Sequence, residues 1–432
     1  MVPREDLFNI CLVSRKFLAV ASAPELWREL TINKEIIGKK NASEEFLSLT
    51  RYQGTHSLNL HGDMLAMHTS NRLRSNECEK TEERLKNLLT ICKAHESIKC
   101  VKITHFDLKN VEILDLIEVL NRLEAIDLTR SCMTEAQLVN VFESVPETLK
   151  SLNLSGIILS AIPAEYFTKV GESLQHLNFS HTLLKKEQAK NLLQGIAKEK
   201  KMKSLKMADL KFSLEEIESD LLASCISRHT ESVDLSNTKL SSEVLGTLVT
   251  RLVQQPHSIS CLCLKNIHLS SFRCRSGLLA MALSVIPKLE LSGCFYTRNR
   301  EEIAANNDII KMILQVIKVK RIVKSIDMSF NNMSIIDPNL LVEAFSGMKI
   351  IDISQTSLSE EQIKTLLTSL SQSKILEELK LIGIDISHIE TSVLGSLVTN
   401  LKYLNLTITK MQPGQSVEII TRSKKFYLVS NS

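Results

Sequence analysis

The chain has 432 residues, a formal net charge of +4 and a hydrophobic content of 44%. This composition permits a large buried core, and no run approaches the roughly 18 apolar residues of a membrane-spanning helix. Charged side chains interrupt residues 1–17, so this stretch is not expected to act as a signal peptide. Ten cysteines without framework spacing indicate reduced thiols, and we therefore expect a cytoplasmic or nuclear protein.

Residues 1–30 are predicted to form two short helices. Their apolar residues recur at intervals of three and four, which is the spacing of one helix face, and Pro24 is suited to open the second helix. Such a helix pair could simply cover the end of a repeat array, because terminal repeats need a polar outer face. The only tryptophan of the chain, Trp27, lies in this second helix.

The same stretch, PREDLFNICLVSRKFLAVASAPELWREL, resembles the later part of an F-box. It contains the DL pair, a V-C-R-x-W-like core and the closing P-x-L-W, with Ser14 in place of the usual Cys and Phe17 in place of the usual Trp. The matching positions are Leu7, Leu12, Val13, Arg15, Phe17, Pro24, Leu26 and Trp27. The resemblance implies that these residues bind a Skp-type adaptor and, through it, a cullin ligase core.

An F-box usually opens with a helix led by Leu-Pro, and this sequence has no counterpart of it before Met1. In the family, that helix shares the contact with the adaptor. The resemblance therefore covers only the later part of the module, without the first of the helices that contact the adaptor.

A repeated apolar pattern occupies most of the remaining chain. In residues 149–159, LKSLNLSGIIL, leucines stand at the first, fourth, sixth and eleventh places. This alternation predicts a short strand with one buried face, followed by a bend. The pattern returns in about fourteen units, mostly 25 to 29 residues apart, which is the period of leucine-rich repeats. The units begin at Trp27, Thr55, Ile98, Leu123, Leu149, Leu174, Met202, Thr230, Ile259, Ile286, Val323, Met348, Leu376 and Leu401.

Helix-start signals follow several bends, among them Thr134, Ser359 with Gln362, and Asp337 before Pro338. The repeats therefore resemble the long, helix-bearing kind found in ribonuclease inhibitor and in F-box leucine-rich proteins. At the ninth place, a subset of repeats has a residue that could bond to the bend backbone. These residues are Ser131, Thr182, Thr238, Cys294, Asn331 and Thr356.

The predicted fold class is α/β: a curved leucine-rich-repeat solenoid with parallel strands on the concave face and helices on the convex face. The solenoid is expected over residues 27–412, with insertions near 66–95 and 297–322 that read most simply as surface loops. Residues 413–432 are expected to form a C-terminal cap. Their alternating apolar and polar residues predict one or two strands that shield the open edge.

Strand alternation predicts that the third, fifth and seventh places point away from the core. Most seventh places are serines, which suggests an open face with room for a partner. Asp234, Glu290, Asp327 and Asp352 occupy fifth places, so a basic protein segment is the expected partner by charge complementarity. An exposed strand face that is simply hydrophilic explains the same pattern equally well.

Residues with catalytic potential are sparse. Cys261 and Cys263 should project to the same side of one strand, but two thiols do not make a zinc site without further Cys or His ligands. No Gly-rich phosphate loop and no nucleophile with a partner base is present in the sequence. We therefore predict no catalytic residues, no metal and no cofactor, and expect neither nucleic-acid nor membrane binding.

Two functional hypotheses follow. The first, implied by the F-box resemblance, is a substrate-recognition subunit of a cullin-RING ubiquitin ligase. Its solenoid would bind the substrate, and the other subunits would perform the chemistry. The second is a ligase-independent scaffold or inhibitor whose N-terminal helices only cap the array.

Overall fold

The computed structural model describes residues 29–32, 56–61, 89, 92, 97–210, 214, 217–255, 259–270 and 275–422. All eight predicted F-box positions and nearly all of the predicted insertion at 66–95 lie outside these residues. The chain divides into two compact units. The first is Met1–Met202 with Leu210–Phe212, and the second is Lys203–Asp209 with Ser213–Ser432.

The first unit alternates short parallel strands with helices. Each strand pairs with the next one along the chain, in register. The strands are β1 (Glu29–Ile32), β2 (Ser57–His61), β3 (Cys100–Thr104), β4 (Ala125–Asp127), β5 (Ser151–Asn153) and β6 (His176–Asn178). The described helices are α1 (Ile113–Leu120), α2 (Glu135–Glu143), α3 (Glu165–Ser173) and α4 (Lys186–Glu199).

The second unit has the same plan, with parallel pairing between consecutive strands. Its strands are β7 (Ser204–Lys206), β8 (Ser232–Asp234), β9 (Cys261–Cys263), β10 (Lys288–Glu290), β11 (Ser325–Asp327), β12 (Ile350–Asp352), β13 (Glu378–Lys380) and β14 (Tyr403–Asn405). Its helices are α5 (Ser219–Ser224), α6 (Ser242–Gln254), α7 (Ser276–Leu283), α8 (Arg300–Lys320), α9 (Pro338–Phe345), α10 (Glu360–Ser371), α11 (Thr391–Asn400) and α12 (Pro413–Arg422).

The apolar spacing read from the sequence accounts for the core. In the repeat that begins at Leu149, the side chains of Leu152, Leu154 and Leu159 are all buried. The fourth- and sixth-place residues of every repeat from Ile98 onward are buried in the same way, whereas the eleventh-place residue is buried in only part of the repeats and Tyr296 at this place is exposed. One repeat cannot bury its own apolar face, so each repeat packs against the next one and together they form a continuous core. Both units are α/β leucine-rich-repeat solenoids, as predicted.

The eighth residue of every repeat from Ile98 onward has a left-handed backbone conformation. These residues are His105, Arg130, Gly156, His181, Asp209, Asn237, Asn266, Gly293, Phe330, Gln355, Gly383 and Ile408. Glycine or asparagine would be expected there, yet most of the residues are neither. The backbone N–H at this place commonly donates to the seventh-place carbonyl of the next repeat, as Phe330 does to Ser354 at 3.0 Å. That ladder holds the unfavourable conformation in place.

The predicted ninth-place hydrogen bonds are confirmed at several bends. The Asn331 side chain donates to the carbonyls of Leu291 and Met328 and accepts from the Phe295 N–H. The hydroxyls of Thr182 and Thr356 donate to carbonyls three residues earlier.

Two sequence predictions are wrong. The stretch near 297–322 is not a surface loop: α8 is a 21-residue helix with a buried face that includes Ile310 and Ile313. The C-terminal prediction of strands fails over Pro413–Arg422, which form the helix α12. The alternation of apolar and polar residues over residues 416–422 is too short to specify a strand. These residues instead form a helix that packs against the preceding repeat. In the described part of the chain, no helix has the length and apolarity needed to cross a membrane.

Candidate binding face

The strand register of the second unit aligns the fifth-place residues in one row. Asp234 pairs in register with Cys263, Cys263 with Glu290, and the series continues along the sheet. We call the following set the charged row: Asp234, Cys263, Glu290, Asp327, Asp352 and Lys380. Neighbouring strands are about 4.8 Å apart, so adjacent side chains of the row lie close enough to interact.

Three carboxylates of the charged row support the backbone. Oδ1 of Asp234, Asp327 and Asp352 each accepts, at 3.0 Å, a hydrogen bond from the N–H of the serine two residues later. Asn153 and Asn178 form the same turn in the first unit. Asp and Asn are therefore interchangeable for this local structure, and the negative charge is not needed for it.

Lysines that the sequence analysis did not select neutralise much of the predicted acidic row. Lys265 Nζ lies 2.9 Å from Glu290 Oε2 and 3.1 Å from Asp327 Oδ2. Lys288 Nζ lies 2.8 Å from Glu290 Oε1, and Lys380 Nζ lies 3.4 Å from Asp352 Oδ2. The pairing of Lys288 with Glu290 could have been predicted from the sequence, because Lys288 stands two residues before Glu290 and therefore on the same side of the same strand. The role of Asp234, Glu290, Asp327 and Asp352 in partner binding stays a prediction.

Glu290, Lys265 and Lys288 favour their charged forms. Burial alone would raise the pKa of Glu290, but hydrogen bonds from Lys288 and Lys265 outweigh it and lower the pKa to about 2. Burial would likewise lower the pKa of Lys265, and the hydrogen bond to Glu290 together with the charge of Asp327 reverses that effect and raises it. The hydrogen bond to Glu290 also raises the pKa of Lys288.

The seventh-place serines do not leave the open space that the sequence suggested. They are buried between neighbouring strands, and Ser329 Oγ lies 2.8 Å from Ser292 Oγ. The seventh-place serines that the structure shows buried are Ser155, Ser180, Ser236, Ser292, Ser329 and Ser354. In the second unit, a partner would therefore contact the third- and fifth-place side chains and the long seventh-place side chain of Lys265.

Cys261 and Cys263 do lie on one side of β9, with their Sγ atoms 3.9 Å apart. Cys261 is partly exposed and Cys263 is buried. The hydrogen bond between the two thiols lowers the pKa of Cys261 and raises that of Cys263. Within the described ranges, no group of three or more His, Cys, Asp or Glu side chains is arranged to hold a metal ion.

Comparison with known proteins assigns this chain to no family. No family model matches the sequence, and no curated protein matches it. Among solved structures, an internalin from Listeria monocytogenes is similar with 13% identity and a TM-score of 0.43, over 76% of this chain and 87% of the internalin. A leucine-rich-repeat protein of Leptospira interrogans is similar with 11% identity and a TM-score of 0.42, over 95% of this chain and 98% of that protein.

Similarities of this size carry no information on partners or activity. The repeat architecture is instead established by the strand register, the buried leucines and the recurrent bend of this chain itself. Each of its two units is thus an α/β leucine-rich-repeat solenoid.

Proposed function

We propose that this chain is a non-enzymatic protein-binding module that docks its partner on the charged row and the lysines beside it. The observation that carries the proposal is the cluster formed by Lys288, Glu290, Lys265 and Asp327, which lie on β10, on β11 and in the turn after β9. Partly exposed ion pairs contribute little to folding, commonly less than about 1 kcal/mol. Charges fixed by one another in this way, however, present a preformed pattern to a partner, which favours specific recognition.

The charge pattern also indicates which charges a partner would carry. Asp234 forms no ion pair with any lysine or arginine in the described part of the chain, whereas the other three predicted acids are paired. A partner would therefore place a basic side chain at Asp234. Because the paired side chains of Lys288 and Lys380 remain 49% and 37% exposed, the partner could also place an acidic side chain beside them. A segment that carries both signs of charge fits this face better than the purely basic segment expected from the sequence.

The finer function that we propose is substrate recognition for a cullin-RING ubiquitin ligase. It is supported by the F-box resemblance of residues 1–30, in which Leu7, Pro24 and Trp27 stand at matching positions. On this proposal a Skp-type adaptor binds those residues, and the charged row binds the substrate. Without adaptor binding, the same face would serve a scaffold or inhibitor.

The docking proposal is tested with paired aspartate variants. Asp234→Asn with Asp352→Asn removes two charges but keeps the turn hydrogen bond, because asparagine forms that turn elsewhere in the chain. Asp127→Asn is the matched control, since Asp127 accepts the same hydrogen bond from Thr129 in the first unit. Partners captured by the full chain should be depleted about tenfold by the double variant. An unchanged set of partners would contradict docking on the charged row.

Adaptor binding is a separate measurement. A purified Skp-type adaptor is mixed with the wild-type chain, with Trp27→Ala and with the double aspartate variant, and the retained adaptor is quantified. The ligase proposal expects retention by the wild type and the aspartate variant but not by Trp27→Ala. A wild-type chain that captures partners yet retains no adaptor would leave only the scaffold or inhibitor function.

A further inference from the structure

The two thiols on β9 form a closely spaced pair in a charged environment. Their Sγ atoms are 3.9 Å apart, close enough for a hydrogen bond between the two sulfurs. Cys261 is partly exposed at the third place of the strand, whereas Cys263 is buried at the fifth place. A small reagent from solvent would therefore meet Cys261 first.

Side chains on both neighbouring strands face this pair. On β8, Ser232 is the register partner of Cys261 and Asp234 that of Cys263. On β10, Lys288 and Glu290 occupy the corresponding positions. The Cys263 hydrogen bond lowers the pKa of Cys261, and it outweighs burial, which raises it. The charge of Lys288 lowers the pKa further, Glu290 opposes it, and Ser232 adds a second hydrogen bond.

Among the other described thiols, Cys132 is partly exposed, and four have a different environment. Burial raises the pKa of Cys92, Cys225 and Cys294 to about 12 in each case. Burial also raises the pKa of Cys100, and the charge of Glu124 adds to that effect. Since the thiolate is the nucleophile, these cysteines are poorly reactive at neutral pH.

We propose that Cys261 is a site of reversible S-thiolation, at which a small disulfide of the glutathione class forms a mixed disulfide with the protein. Cys263 is the positioning residue: when Cys261 is the thiolate, only the Cys263 S–H can donate across the 3.9 Å contact, and it then stabilises the negative charge. The proposal does not depend on the function proposed above, since its product is read from the chain itself.

The reaction is a thiol–disulfide exchange. The Cys261 thiolate attacks one sulfur of the small disulfide and forms a new S–S bond. The original S–S bond breaks, and the departing sulfur leaves as a thiolate with the electron pair. Cys261 is thereby oxidised and one half of the small disulfide is reduced, so no other oxidant is needed. Excess free thiol reverses the exchange.

Strand geometry favours the mixed disulfide over closure onto Cys263. Two residues that are two apart on a strand have Cα atoms about 6.6 Å apart, near the upper limit of about 6.8 Å for a disulfide. The two sulfurs would also have to approach from 3.9 Å to a bond length of about 2.05 Å. Closure would therefore require β9 to bend away from its partners on both sides.

The test exposes the full chain to oxidised glutathione at pH 7, followed by acid quenching and site-resolved mass spectrometry. Cys11, Cys78 and Cys274, which lie outside the described residues, are replaced by serine in the reference chain. Cys261 should acquire one glutathionyl group at a rate on the order of tenfold above Cys100. The midpoint of its pH dependence should lie below the ordinary thiol value of 9.0, because the hydrogen bond from Cys263 lowers the pKa of Cys261. Dithiothreitol should remove the group.

Cys263→Ala tests the positioning role, and its folding is checked by circular dichroism. The variant should shift the pH midpoint of Cys261 modification upward and slow the reaction at pH 7, whereas Cys263→Ser retains a donor and should restore most of the rate. Equal reactivity of Cys261 and Cys100 would overturn the proposal. So would an intrachain disulfide as the main product, or an unchanged pH midpoint in folded Cys263→Ala.

Discussion

Gln362 donates from Nε2 to the main-chain carbonyl of Met333 at 2.9 Å and thereby joins two successive repeats. The same nitrogen lies 2.5 Å from the carbonyl of Ile336, and Oε1 accepts the N–H of Ser359 at 2.7 Å. One buried side chain therefore completes the capping box of α10 and satisfies two carbonyls of the preceding bend. Glutamines at the same place act alike, namely Gln137, Gln188 and Gln415.

Replacement of Gln362 by leucine should destabilise the second unit. Leucine has a similar volume, but it would leave two carbonyls and one N–H without this partner in a buried place. The expected loss is about 2–4 kcal/mol in the free energy of unfolding. Chemical denaturation measures it, with Gln372→Leu as the control, since Gln372 is exposed at the end of the same helix. Equal losses in the two variants would show that the link between repeats contributes nothing.

Two glycines set the distance between α3 and α4. A Cβ atom on Gly195 would lie 2.2 Å from the Thr168 carbonyl oxygen, and one on Gly171 would lie 2.4 Å from that of Leu192. Gly195→Ala should therefore force the helices apart and cost about 1–3 kcal/mol. Gly414→Ala is the matched control, because nothing lies within 4 Å of its added Cβ. Thermal melting of the two variants measures this cost. A Gly195→Ala protein as stable as the control would show that the helix contact does not require glycine.

Glu290→Gln should reduce stability in a pH-dependent way. The pKa of Glu290 is lowered from 4.5 to about 2 in the folded chain, so its contribution is fully present above pH 4.5 and is lost as the pH falls towards 2. With solvent screening, a difference of about 1 kcal/mol from wild type is expected at pH 7. Urea titrations at pH 7 and pH 3 test the sign. A difference that grows on acidification would contradict the ion-pair explanation.

Substitution of Ile408 should increase the stability of the second unit. It has φ +58, which is unfavourable for a β-branched residue, and it is 69% exposed, so its side chain contributes little burial. Ile408→Asn is expected to raise the free energy of unfolding by about 1 kcal/mol. Gly383→Ala, at the same place in the preceding repeat, should lower it by a similar amount because Gly383 has φ +71. Changes of the same sign in both variants would argue against backbone strain at this place.

The sequence alone determined the repeats, the α/β solenoid class and much of the local detail. Buried Leu152 and Leu154, the capping box at Ser359 and the bonds of Asn331 were all predictable. Each depends on residues that are near in sequence or recur with a fixed period. Strand alternation, helix capping and the bend are local, and a periodic pattern reports them directly.

Only the tertiary structure decided what surrounds the predicted acids. Lys265 and Asp327 come from different repeats, and the stacking of the repeats brings Lys265 Nζ within 3.1 Å of Asp327 Oδ2. The link from Gln362 to the preceding bend likewise depends on how one repeat packs on the next. A one-dimensional pattern specifies which face a side chain occupies, but its neighbour across strands depends on packing between repeats. For this reason the charge of the face could not be obtained by counting its carboxylates.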